Sequence, residues 1–208
     1  MEKTFETTNS IINENERIIA NILHDIKSPL YSIKIALQNK QDNELNKDIF
    51  ETILYSLKYI EEFLVEYNFK NGKFQDKTTI CDIKDIINKI IQNYKYIFIN
   101  KNICIDLYSD KKSYCINSIP IFLTSILGNI ISNIAFHAKE RTNAKIELFK
   151  KGNCVYVEFE NAYDKMETNS ELGLNFCRKL AQNCDIDFKF TRTKDNVRVN
   201  LKIPELNR

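Results

Sequence analysis

Between Phe50 and Tyr67, six residues (Phe50, Ile53, Leu57, Ile60, Leu64 and Tyr67) step by three and four without exception. That spacing keeps one helix face apolar for about five turns and is the heptad seam of packed helices. Upstream, Ile18, Ile22, Ile26, Leu30, Ile33 and Leu37 form a second helical stripe, interrupted only by Pro29. The polar stretch QNKQDNE separates the two. Residues 10–70 are therefore expected to form a helical hairpin. One hairpin is not expected to bury both seams, so the economical solution is a four-helix bundle in a homodimer. Packing of the hairpin on the rest of the same chain is the alternative.

Asn71-Gly72 marks a turn, and residues 75–208 read differently. Asp82 can cap a helix running to Tyr96, and Asn102 to Tyr108 alternates as a strand. A helix over Ile119 to Ala138 precedes strands at Lys145 to Phe149 and Cys154 to Glu160. A helix near Leu172 to Asn183 and strands near Asp185 to Thr191 and Asn196 to Ile203 complete the pattern. Helices interleaved with adjacent strands predict an α/β sandwich, helices covering one face of a mixed sheet. The expected class is α+β, a long hairpin followed by this sandwich.

Composition narrows the setting. The 208 residues contain only 4 Gly and 3 Pro, which argues against a turn-dense sandwich or barrel. Thirty basic residues against 28 acidic ones leave +2, so no broad field points to nucleic acid or anionic lipid. The run from Ile119 to Phe136 carries no charge, yet Pro120, Asn129 and Asn133 within it predict a buried core helix rather than a membrane span. The N-terminus MEKTFETTNS lacks the apolar core of a secretory signal. Cys81, Cys104, Cys115, Cys154, Cys177 and Cys184 show no metal-ligand spacing and are read as reduced core residues. A cytoplasmic protein with no sensor or membrane segment ahead of the hairpin is expected.

Of two histidines, His24 lies on the helix face opposite the Ile22, Ile26, Leu30 and Ile33 stripe. Ser28 follows one turn on, and Tyr31 and Ile35 share the outward face. An imidazole oriented by the neighbouring Asp25 can attack phosphorus, although the geometry alone favours an ordinary surface histidine. On the 119–138 helix, Ser125, Asn129, Asn133 and His137 recur at every fourth residue, a polar stripe that fits either satisfied buried amides or an oxygen-rich Mg²⁺ site.

The run His24-Asp25-Ile26-Lys27-Ser28-Pro29-Leu30 resembles the H box of two-component sensor histidine kinases at all seven positions. The resemblance implies His24 as phosphoacceptor, Asp25 as its general acid/base, and Ser28 at a position that assists hydrolysis of a phosphorylated partner. Lys27, Tyr31 and Ile35 would then form the docking surface for a response-regulator receiver domain. The segment from Asn129 to His137 is similar to the N box of the same kinases, with Asn133 at the Mg²⁺ position and Phe136 where a basic residue commonly meets phosphate.

Further on the likeness decays. Val155 to Asn161 looks like the strand that ends in the adenine-reading aspartate, with Asn161 in its place and Ala162-Tyr163-Asp164 for the glycine-rich turn. Leu172-Gly173-Leu174 resembles the end of the second glycine box, with Asn169 and Glu171 standing where glycines wrap phosphates. Asn129, Asn133, Asn161 and Gly173 are the implied nucleotide residues. The eroded boxes imply that ATP binds weakly or not at all.

By this resemblance the leading expectation is a phosphorelay histidine phosphotransferase, moving phosphate through His24 between receiver aspartates, with Mg²⁺ on the receiver partner. One alternative is a soluble histidine kinase phosphorylating His24 from MgATP. Another is a non-catalytic module that sequesters a regulator.

Overall fold

The computed structural model describes residues 19, 23, 26–27, 30–31, 33–34, 44–71, 78–163 and 171–205. The chain divides into two compact units, Met1–Gln75 and Asp76–Arg208.

In the first unit every described position between 19 and 34 is helical, and α1 spans Glu44–Lys70. Phe50, Ile53, Leu57, Ile60 and Tyr67 of the seam are buried, and Leu64 is half-buried. Leu54 and Val65 join them, so α1 buries a broader stripe than a strict two-in-seven seam. The Phe50–Tyr67 seam is thus largely covered within a single chain. The open apolar face lies upstream instead. Ile19, Ile26 and Ile33, each seven residues from the next, are 46%, 43% and 45% exposed.

The second unit begins with β1, Thr79–Asp82, which pairs antiparallel with β3, Cys115–Ser118. Neither strand is anticipated from the sequence, since four residues are too few to display a period. α2 spans Ile83–Asn93, and its N-cap is Asp82 as expected, the carboxylate accepting from Lys84 N at 3.0 Å and Tyr114 N at 3.3 Å. The helix stops short of Tyr96. Tyr94 leaves the helical region, and a separate short helix α3, Lys95–Asn100, follows.

Next come β2, Cys104–Ser109, and α4, Pro120–His137, whose proline sits at the start where a missing N–H costs nothing. The remaining elements are β4, Asn143–Lys151; β5, Cys154–Ala162; α5, Glu171–Asn183; β6, Asp187–Arg192; and β7, Asn196–Pro204. Five strands form a sheet in the order β2-β4-β5-β7-β6, parallel between β2 and β4 and antiparallel elsewhere.

Alternation along the central strands buries one face. Ala144, Ile146 and Leu148 of β4 lie level with Val155, Val157 and Phe159 of β5, and Val199, Leu201 and Ile203 of β7 continue the layer. α4 packs against both α2 and α5. Its residues Leu123, Ile126, Leu127, Ile130, Ile131 and Ile134 are buried, as are Asn129 and Ser132, which explains a helix apolar nearly all round. Among the described residues it is the one helix long and apolar enough to cross a membrane, and it forms the core of this unit. The cysteine reading needs amendment: all six are free, but only Cys81 and Cys177 are buried, while Cys104 and Cys115 are exposed at strand starts.

Candidate functional site

α4, the sheet and α5 enclose a cavity of about 460 Å³ in the second unit. Its apolar wall is made by Ile130 and Ile134 of α4, Phe159 and Val199 of the sheet, and Leu174 of α5. Two polar side chains enter that wall. Asn133 stands one turn along α4 from Asn129, and Asn161 closes the inner end of β5.

Asn161 is only 7% exposed, and its Nδ2 donates to the Ala162 carbonyl at 2.9 Å. A carbonyl can only receive, so this contact fixes the amide and leaves Oδ1 as the acceptor offered to a ligand. The same carbonyl also accepts Lys139 N at 3.0 Å, and Tyr163 bridges to Ala138. Where the resembling kinases have a glycine turn, this backbone is stitched to the end of α4.

The structure separates the four implied nucleotide residues into two pairs. Asn133 and Asn161 line the cavity, whereas Asn129 and Gly173 do not. Asn129 is 3% exposed and accepts from Asn133 Nδ2 through Oδ1 at 3.4 Å. A Cβ placed on Gly173 would stand 2.8 Å from that same oxygen, so the glycine lets α5 approach α4. Asn129 and Gly173 thus act in helix packing. Asn133, its Nδ2 turned to Asn129, brings a hard oxygen of the kind Mg²⁺ prefers. Among the described residues no group of three His, Cys, Asp or Glu could hold a metal by protein ligands alone. Any Mg²⁺ here would depend on the phosphates and waters it brings.

The cavity mouth is cationic. Among the described residues, Lys101, Lys139, Arg141 and Arg192 line it with His137, against the one acid Glu140. Lys101 Nζ donates to the Phe136 carbonyl at 2.6 Å, and the Arg192 guanidinium lies 4.3 Å from the Tyr163 ring centroid. Phe136, the residue in the usual basic position, points its ring edge-on against Tyr94 at 6.0 Å. None of these cations belongs to a sequence motif. They converge from separate loops and β6, a juxtaposition with no linear signal.

In the first unit, Glu61 of α1 gathers the docking candidates. Its Oε1 accepts the Tyr31 hydroxyl at 2.6 Å and pairs with Lys27 Nζ at 3.2 Å. The ammonium groups of Lys27 and Lys34 lie 5.7 and 5.4 Å from the Tyr31 ring centroid. Tyr31, expected on an outward face, is half-buried and engaged with α1. Burial pushes the Lys34 amine below its ordinary value, with Glu61 pulling the other way. His24, Asp25, Ser28 and Ile35 lie outside the described residues.

No protein-family model matches the chain. It is 20% identical over 175 residues to the sensor histidine kinase YbdK of Bacillus subtilis, covering 80% of this chain and 54% of that protein, so it spans about half of that relative. The Acinetobacter baumannii histidine kinase AdeS matches with a TM-score of 0.61 at 14% identity, over 88% of this chain and 98% of that one. A histidine kinase, ThkA, solved in complex with the response regulator TrrA, matches with a TM-score of 0.56 at 16% identity, over 99% and 65%. The relatives and structural neighbours are histidine kinases, and the sheet with its helices has the ATPase-like fold of their catalytic domains.

Proposed function

We propose that this histidine-kinase-like chain is a phosphoryl-transfer module of two-component signalling, in which His24 carries phosphate between the aspartates of response-regulator receiver domains. What carries the reading is a contrast inside one chain. The phosphoacceptor motif matches at all seven positions, from His24 to Leu30, while the nucleotide side has Phe136 for a cation and Asn161 for a carboxylate. Selection for accepting phosphate without taking it from ATP would leave that imbalance.

In the forward step an imidazole nitrogen of His24 attacks the phosphorus of a receiver acyl phosphate. The P–O bond to the receiver aspartate breaks, the carboxylate leaves with the electron pair, and Asp25 takes the other ring proton. The second step reverses this, with the carboxylate oxygen of another receiver attacking and imidazole leaving. Mg²⁺ belongs to the receiver, where it neutralises the phosphoryl oxygens. The Lys27, Tyr31 and Ile35 side of the helix would meet the receiver. Ile19, Ile26 and Ile33 would meet a second copy, making the bundle a homodimer, and the protein would work in the cytoplasm.

A second reading, a soluble kinase that phosphorylates His24 from MgATP, is favoured by the cavity, which Asn133 and Asn161 still line. Asn161 Oδ1 would accept from an adenine amino group, and Asn133 would supply an oxygen to the metal.

The test is labelling. Wild type mixed with a phosphorylated receiver should acquire acid-labile, base-stable phosphate and pass it to a second receiver, while His24→Gln acquires none. Equal labelling of the variant defeats the assignment. Labelling from ATP without any receiver selects the kinase reading, and a complex that forms with no transfer selects sequestration.

A further inference from the structure

Glu61 projects from α1, and three side chains of the upstream helical segment gather near it. Lys27, Tyr31 and Lys34 follow at spacings of four and three, which places them on one helix stripe. Ile26 and Ile33 fall on a different face, so this polar stripe is separate from the open apolar one. Both ammonium groups stand over the same ring, Lys27 at 5.7 Å and Lys34 at 5.4 Å from the Tyr31 centroid. One carboxylate oxygen, Glu61 Oε1, accepts the Tyr31 hydroxyl at 2.6 Å and meets Lys27 Nζ at 3.2 Å.

We infer that Glu61 is a positioning residue for the receiver: its carboxylate holds the Lys27 ammonium beside Tyr31, in place to meet the phosphorylated aspartate as it docks. This role rests on the phosphorelay reading and lies outside the phosphoacceptor motif. Lys27 comes three residues after His24, which at helical spacing is about one turn away.

The physical case is one of ordering. A free lysine side chain samples many rotamers, and fixing it during association weakens a complex. Here the ammonium is already held between a ring and a carboxylate, and the Lys27 side chain is only 32% exposed. The ordering cost therefore falls on folding and not on docking. An ammonium carries three N–H donors, and a single carboxylate oxygen engages one of them. The contacts with Glu61 and Tyr31 thus leave Lys27 able to meet phosphoryl oxygens.

Charge alone predicts the opposite sign. The cluster is cationic, two lysines against one carboxylate. If attraction for an anionic phosphoryl group were the whole effect, removing the Glu61 charge would strengthen docking, most of all at low salt. Positioning predicts weaker docking. A purely structural bond between two helices predicts a third result, a lower Tm with docking unchanged.

The variant that separates these is Glu61→Gln. Glutamine keeps a carbonyl for the Tyr31 hydroxyl and removes the charge that holds Lys27. The side chain is 44% exposed and the replacement nearly isosteric, so the variant should fold with Tm close to wild type, as exposed ion pairs add little stability. A receiver domain charged with acetyl phosphate is titrated against the full chain, using the receiver of the source organism that exchanges phosphate fastest or, where none exchanges, binds tightest. Glu61→Gln should raise KM for the phosphorylated receiver about fivefold and leave the maximal rate within about twofold of wild type. In a Lys27→Met background the same change should have little further effect, because the two residues act through one contact. An unchanged or lowered KM, a loss confined to the maximal rate, or full additivity with Lys27→Met would each overturn the assignment. Failure of the relay reading shows separately, as a wild type that takes no phosphate on His24. The dissociation constant for the phosphorylated receiver then replaces KM: the same weakening supports the role of Glu61, and an equal constant, or no complex, overturns it.

Discussion

The two units solve the burial problem differently. In the second, α4 is surrounded by the sheet, α2 and α5, so a helix apolar enough for a membrane is hidden inside one chain. In the first, α1 is covered while Ile19, Ile26 and Ile33 remain open at heptad spacing. The second unit has finished its core and spends its spare space on a cavity. The first leaves Ile19, Ile26 and Ile33 open, the face proposed above to meet a second copy.

The largest expected effect comes from attacking that open face. Each of these isoleucines, if buried by a partner, contributes roughly 1.5–3 kcal/mol, and a buried unpaired aspartate costs more than the aliphatic gains. The double variant Ile26→Asp/Ile33→Asp should halve the mass seen by light scattering, while the circular dichroism of the second unit persists. A wild type that is monomeric at high concentration would erase the contrast between the units.

In the closed unit, a single methyl should suffice. Gly173→Ala drives a Cβ to 2.8 Å from Asn129 Oδ1 and should cost about 1–3 kcal/mol of stability in a denaturant melt. Asn129→Ala should relieve part of that cost, giving a coupling between the two sites, since they touch. Strict additivity would remove Gly173 from the helix contact.

The smallest effect tests the Lys34 end of the Glu61 cluster. The folded chain holds the Lys34 proton less tightly than the unfolded chain, mainly through burial. Stability from this group is therefore penalised at neutral pH and rises as pH climbs towards the ordinary value of 10.5. Lys34→Met should leave Tm at pH 7 equal or higher, and its advantage over wild type should shrink as pH approaches 10.5. A clear drop in Tm at pH 7 would make the Glu61 attraction dominant over burial.

Much of the fold is legible in linear order, because helices and long strands write their periods into neighbouring residues. The seam from Phe50 to Tyr67, the Asp82 cap, the proline-started α4 and the strands from 143 to 162 all follow from local spacing. The four-residue strands β1 and β3 do not, since what stabilises them is their pairing across more than thirty residues of chain.

The candidate site divides along the same line. Sequence alone singles out His24 and the stripe through Asn133 and proposes Asn161, because each stands in a contiguous motif. Tertiary structure decided that Asn129 and Gly173 pack helices, that Glu61 engages Tyr31 and Lys27, and that Lys101 and Arg141 stand at the cavity mouth. It also decided which apolar stripe is closed and which is open. Periodicity says that a face is apolar, but only the packed chain says what covers it. Burial and convergence are properties of distances between segments, and those distances are set when the sheet and helices close around one another, not by the residues on either side in the chain.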